Sequence, residues 1–138
     1  MKILFMCVAN AARSQMAEGL ARHILGPKAE VQSAGSKPKS VHPQAKIVLA
    51  EIGIDISAQF SKSIAELPKE FGQNLDYLIT LCAEEVCPVT NFSSAEKLHW
   101  PLQDPAQEGA SEQSQLATFR RTRDEIARRI QQFSDCLK

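Results

Sequence analysis

The apolar run Ile3-Leu4-Phe5-Met6 stops at Cys7-Val8-Ala9-Asn10-Ala11-Ala12-Arg13-Ser14, and a helix-patterned run follows at once. A strand, a tight loop and a helix start in that order predict a strand–helix unit whose loop lies at one edge of a parallel sheet. A loop of this kind turns successive backbone N–H groups inward as an anion-binding nest, and the helix N-terminus behind it adds positive potential. Cys7 would sit at that pole. The N–H donors, the helix N-terminus and Arg13 all favour its thiolate form, a nucleophile at neutral pH. Arg13 supplies a planar fork for two oxygens of a tetrahedral oxyanion. The backbone of Val8, Ala9, Asn10, Ala11 and Ala12 completes the expected anion cradle. Ser14 is suited to donate its hydroxyl to the thiolate, and Asn10 to hold the loop through its side-chain amide.

The rest of the chain repeats the alternation. Met16, Ala17, Leu20, Ala21, Ile24 and Leu25 form one stripe with Gln15, Glu18, Arg22 and His23 opposite, an amphipathic helix closed by Gly26-Pro27. Glu30 to Ala34 reads as a second strand, followed by a polar turn from Ser36 to Ser40. Pro43 suits the first turn of a second helix with Ala45, Val48, Leu49 and Ile52 buried and Gly53 as its stop. Ser63 and Glu66 have capping-box spacing with Pro68 soon after, which predicts a short helix. Leu75 to Leu81 is a third strand ending at Cys82, residues 83 to 96 carry no clear pattern, and Lys97 to Leu102 is a fourth strand leading to Asp104-Pro105. Ser111 is the expected N-cap of a long closing helix marked by Leu116, Phe119, Ile126, Ala127, Ile130 and Phe133. The order predicts an open α/β fold, a four-stranded parallel sheet with helices on both faces, as one domain spanning residues 1–138.

Composition narrows the partners. Sixteen basic side chains balance sixteen acidic ones, so nothing recommends a nucleic acid or an acidic membrane surface. The five arginines of the last helix (Arg120, Arg121, Arg123, Arg128, Arg129) are interleaved with Asp124 and Glu125 and read as a solvated face. No apolar run approaches the roughly 18 residues of a membrane span, and Ile3–Val8 is too short for a signal-peptide core. The expected location is the cytoplasm, where thiols stay reduced. The four cysteines, Cys7, Cys82, Cys87 and Cys136, therefore suggest chemistry or bystanders rather than a disulfide framework.

In an open parallel sheet the functional loops lie beyond the carboxyl ends of the strands. The first strand ends at Cys7, the third at Cys82, and the fourth runs out at Asp104, so two thiols and a carboxyl group should share one edge. Asp104 is suited to protonate a leaving oxygen. Neighbouring first and third strands, about 4.8 Å apart, would make Cys7 and Cys82 disulfide partners after a small loop movement. Cys82 and Cys87 are weak zinc candidates, since only His99 lies nearby. If their segment is helical when reduced, their Cα atoms lie about 8 to 9 Å apart. A disulfide needs less than about 7 Å, so bonding would unwind the segment.

Cys7-x5-Arg13-Ser14 followed by Gln15-Met16-Ala17-Glu18, then Ser33-Ala34-Gly35, Asp55-Ile56-Ser57, Leu81-Cys82, Cys87-Pro88, His99-Trp100 and Asp104-Pro105-Ala106, resembles the arsenate reductases built on the low-molecular-weight tyrosine phosphatase fold. The resemblance implies a flavodoxin-like strand order 2-1-3-4 and a relay of three thiols. Cys7 attacks arsenate held by Arg13 and the loop amides, Asp104 protonates the departing oxygen, Cys82 resolves the adduct, and Cys87 takes over the disulfide. It also implies no bound organic cofactor or redox metal, and an external thiol reductant, either thioredoxin or glutaredoxin with glutathione, acting on a monomer. Alanine stands at 9 and 12, where the family often has glycine and cysteine. Some members bind potassium through residues matching Asn10, Glu18 and Ser33, but Lys62 replaces the expected aspartate, so no potassium site is expected. Cys136 matches no motif.

The rival reading is a low-molecular-weight protein tyrosine phosphatase working through a phosphocysteine on Cys7, with Arg13 and Asp104. Such enzymes usually carry an aromatic residue after Asp-Pro, where this chain has Ala106-Gln107-Glu108-Gly109. A non-catalytic oxyanion-binding module would leave Asp104 unused.

Overall fold

In the computed structural model, which describes residues 1–83, 95–107 and 109–137, the alternation of apolar runs produces four parallel strands. They are β1 (Lys2–Cys7), β2 (Glu30–Gly35), β3 (Tyr77–Cys82) and β4 (Glu96–Leu102), in the order β2-β1-β3-β4. The helices are α1 (Arg13–Leu25), α2 (Pro43–Ala50), α3 (Lys69–Gln73) and α4 (Glu112–Cys136). The reversal of strand order falls between β1 and β3, the place where this architecture leaves a crevice at the strand ends.

The pleat sorts the core into two layers, because successive strand residues point to opposite faces. Ile3, Phe5, Ile79 and Leu81 pack with α1, α2 and α4 through Met16, Leu20, Val48, Phe119, Ile126 and Ile130. Leu4, Met6, Ala34 and Leu78 pack on the other face against Leu67, Phe71 and Leu75. The strand β4 is an edge, and Pro101 falls where its register slips. Thr80 faces His99 but Cys82 faces Leu102, so Leu81 lies opposite two residues. A proline without an N–H donor is tolerated at such a bulge on an edge strand.

The predicted elements recur with differences of physical origin. Ser111 caps α4, its side chain accepting from the Ser114 amide at 3.1 Å. The Ser63/Glu66 capping box forms, but it caps a single 3-10 turn (Ile64–Glu66), and Pro68 then starts the five-residue α3. The second helix ends at Ala50, short of Gly53, which leaves Ile52 45% exposed instead of buried. Gln15 and Glu18, expected on the solvent side of α1, are buried. Segment 57–62 returns over that side of the helix and supplies them with polar partners.

The arginine face of α4 is only partly solvated. Arg120 binds Glu51 at 2.7 Å and Arg123, 9% exposed, binds the same carboxylate at 3.0 Å and the Val48 carbonyl at 2.8 Å. The Arg120 hydrogen bond holds the Glu51 carboxyl below its ordinary range. These arginines fasten α4 to the C-terminal end of α2, where the unpaired carbonyls and the helix dipole favour cations.

Candidate active site

The loop between β1 and α1 is held by its carbonyls. Lys37 N–H donates to the Val8 carbonyl, Lys39 N–H to Ala9 and His42 N–H to Ala11, each at 2.9 Å. The Asn10 carbonyl accepts from Ser61 Oγ at 2.6 Å and from Gln15 Nε2 at 3.1 Å. With these carbonyls drawn outward, the peptide planes leave the N–H side to the interior, the arrangement an anion nest requires. Residues 37–42 thus act as a strap around the cradle.

Asn10 is the pivot. It is fully buried with φ of 48°, a left-handed conformation that asparagine tolerates better than most residues. Its Oδ1 accepts from the Lys62 amide and from Gln15 Nε2, each at 3.0 Å, while its Nδ2 donates to Ser14 Oγ at 2.7 Å. Neither Ala9 nor Ala12 has positive φ, so alanine at these two positions brings no left-handed strain.

Cys7 Sγ lies 2.9 Å from Ser14 Oγ, buried at the floor of the loop. Ser14 Oγ accepts from Asn10 Nδ2 and keeps one proton and one lone pair, so it suits either a thiol or a thiolate at Cys7. Arg13 is 4% exposed, and Nη1 donates to the Leu102 carbonyl at 2.9 Å. That bond ties the cradle to the end of β4, two residues before Asp104. Asp104 itself is exposed, its Oδ1 accepting from the Ala106 amide at 3.0 Å in a tight turn seated on buried Pro105.

Gly35 makes the loop possible. It pairs with Cys7 in the β1–β2 register, and a Cβ there would lie 2.5 Å from the Val8 carbonyl oxygen and 2.9 Å from the Asn10 nitrogen. Only a residue without a side chain lets β2 approach the cradle so closely.

The β1–β3 register sharpens the expectation for the second thiol. Cys7 and Cys82 end neighbouring strands and both are buried, but Met6 pairs with Thr80, so Cys82 lies one residue beyond the position opposite Cys7. Pleat alternation carries the two sulfurs to opposite faces of the sheet. A Cys7–Cys82 bond therefore needs the end of β3 to turn over, more than a small loop movement. Cys87 lies outside the described residues. Cys136 is exposed at the end of α4, beside Trp100 and Phe133.

The family resemblance grouped Glu18, Ser33 and Lys62 with Asn10, and the structure joins them in an ionic cluster that the amphipathic pattern of α1 did not reveal. Glu18 and Lys62 are both buried, with Lys62 Nζ 3.7 Å from Glu18 Oε1, which also accepts from Ser33 Oγ at 2.6 Å. The other carboxylate oxygen takes Arg22 at 2.9 Å. Burial pushes the Lys62 ammonium below its ordinary value, and Glu18 opposes that shift. The residues do not fit a bound potassium ion, because two side-chain cations and a hydroxyl already engage Glu18. Glu18→Gln leaves the ammonium without its counter-charge and is expected to cost about 3 kcal/mol. Adding Lys62→Met should recover most of that loss, and urea unfolding of the single and double variants measures it.

Comparison with known proteins agrees with this geometry. The family model for low molecular weight phosphotyrosine protein phosphatase matches residues 2–138. The arsenate reductase of Halalkalibacterium halodurans is 44% identical over 96% of this chain and 94% of its own. A solved structure described as an arsenate reductase in the phosphate binding state superposes with a TM-score of 0.83 at 33% identity, covering 99% of this chain and 98% of that one. The thioredoxin-dependent arsenate reductase of Corynebacterium glutamicum gives 0.73 at 34% identity, over 98% of this chain and 60% of that one. Matched along nearly its whole length, the chain belongs to the low molecular weight phosphotyrosine protein phosphatase family, beside relatives that bear the name arsenate reductase.

Proposed function

We propose that this protein reduces arsenate to arsenite in the cytoplasm, as a monomer without a bound cofactor. The observation that carries the reading is Cys7 Sγ hydrogen-bonded to Ser14 at the floor of the cradle, one strand away from a second buried cysteine, Cys82. The cradle alone suits any tetrahedral oxyanion. The second thiol supplies a reductive exit.

The Cys7 thiolate attacks arsenic and forms an S–As bond while one oxygen leaves as water, with a proton from Asp104. Arg13 and the inward amides of residues 8–13 stabilise the charge on the remaining oxygens. The Cys82 thiolate then attacks the Cys7 sulfur. The S–S bond forms, the S–As pair stays on arsenic, and arsenic falls from the +5 to the +3 state as arsenite departs. Cys87 attacks Cys82, freeing Cys7, and an external dithiol reduces the Cys82–Cys87 disulfide. Two of the relatives' features support the overall reaction and its external reductant: the arsenate reductase names and the thioredoxin dependence of the Corynebacterium protein.

Purified reduced protein should release arsenite over many turnovers with thioredoxin, or with glutaredoxin and glutathione. Failure with both donors, together with rapid hydrolysis of a phosphotyrosine analogue, would establish the phosphatase reading instead.

A further inference from the structure

His42 joins four parts of the molecule. It is the N-cap of α2, and because Pro43 has no N–H, the first amide of the helix in need of an acceptor is that of Gln44. His42 Nδ1 accepts from it at 3.1 Å. The His42 backbone N–H donates to the Ala11 carbonyl of the cradle. The ring lies against Phe119 of α4, centroids 4.8 Å apart, and the charge of Asp104 reaches it from the loop after β4. A nitrogen that accepts a hydrogen bond cannot carry a proton, so the neutral ring holds its proton on Nε2.

We propose that His42 is a positioning residue for the oxyanion cradle: as a neutral imidazole it latches the strap between cradle and α2, and protonation at Nδ1 opens the latch. The proposal rests on the cradle being the substrate site of the reaction above. Protonation would set an Nδ1 proton against the Gln44 N–H, and the cap would be lost. The groups facing the ring decide the direction. Phe119 from α4 and the Gln44 amide from α2 carry no charge, and Asp104 carries a negative one. Burial lowers the proton affinity of the imidazole, and Asp104 opposes it in part. The latch is therefore closed at neutral pH and opens on acidification below the ordinary histidine range.

Two measurements test this, neither of which requires arsenate turnover. Nitrogen-15 NMR of the imidazole should show the Nε2–H tautomer at pH 7.5 with a midpoint below 6.5. Sulfate, whose charge does not change between pH 5 and 8, reports the cradle. Its affinity should fall about fivefold, the equilibrium value of one lost cap, along the same midpoint. His42→Ala should be weakened throughout, and His42→Asn, which caps without titrating, should restore the neutral-pH affinity and remove that acid step. A proton on Nδ1 at pH 7.5, or the same acid step in His42→Asn, would overturn the proposal. Sulfate binding with the expected profile in a protein that makes no arsenite would leave the latch standing and remove the reductase reading.

Discussion

Cys82→Ser is expected to arrest the enzyme after its first bond. The substitution leaves the cradle residues in place, since Cys82 lies past the β1–β3 pairing on the far face of the pleat. Cys7 should still attack arsenate, but a serine hydroxyl has neither the acidity nor the electrons to resolve the adduct by disulfide formation. Steady-state arsenite release with a thioredoxin system should drop by at least about 1,000-fold, the scale expected when a member of a covalent relay is removed. Mass spectrometry should find the arsenic on the peptide containing Cys7. Unchanged multiple turnover would remove Cys82 from the mechanism.

The second large effect comes from a residue with no chemistry of its own. Gly35→Ala places a methyl group 2.5 Å from the Val8 carbonyl oxygen and 2.9 Å from both the Asn10 nitrogen and the Cys7 carbonyl oxygen. All three are backbone atoms of the cradle, so no side-chain rotation relieves the clash, and β2 must separate from the loop. The loss should be about 3 kcal/mol in urea unfolding, at the upper end of overpacking costs, with sulfate or arsenate affinity lost as well. Gly53→Ala offers the contrast. There the methyl group meets nothing within 4 Å and φ is +82°, so the cost should be about 1 kcal/mol of backbone strain without an effect on the cradle.

Local signals carried much of this architecture. The apolar run before Cys7, the helix pattern after Ser14 and the cap at Ser111 each express one short-range rule, and all three recur in the structure. What stayed hidden depends on the path of loops. The stripe on α1 tells which side meets the sheet, but it cannot tell that segment 57–62 returns over the other side. Gln15, Glu18 and Lys62 therefore read as solvent-facing or as a substitution in a motif, although they form a buried polar network. Hydropathy scores such groups by type, whereas their burial is set by partners. His42 was invisible for the same reason, since its role comes from the amide of Gln44 and the ring of Phe119. For the strand-end thiols, sequence position predicted the shared edge, but the face each sulfur takes depends on a one-residue register offset.

The bracing of the cradle by α4 also imposes a timetable on synthesis. Cys7 precedes by about a hundred residues Phe119, which supports the strap through His42, and Ile126 and Ile130, which close the core over α1. At about 5 to 20 residues per second, a growing chain carries an unassembled Cys7 for on the order of 10 seconds before α4 can dock. Nascent chains should therefore be unable to bind oxyanion, and a ribosome stalled before residue 112 should display a thiol with ordinary reactivity toward alkylating reagents. Docking of α4 would be the event that arms the sulfur.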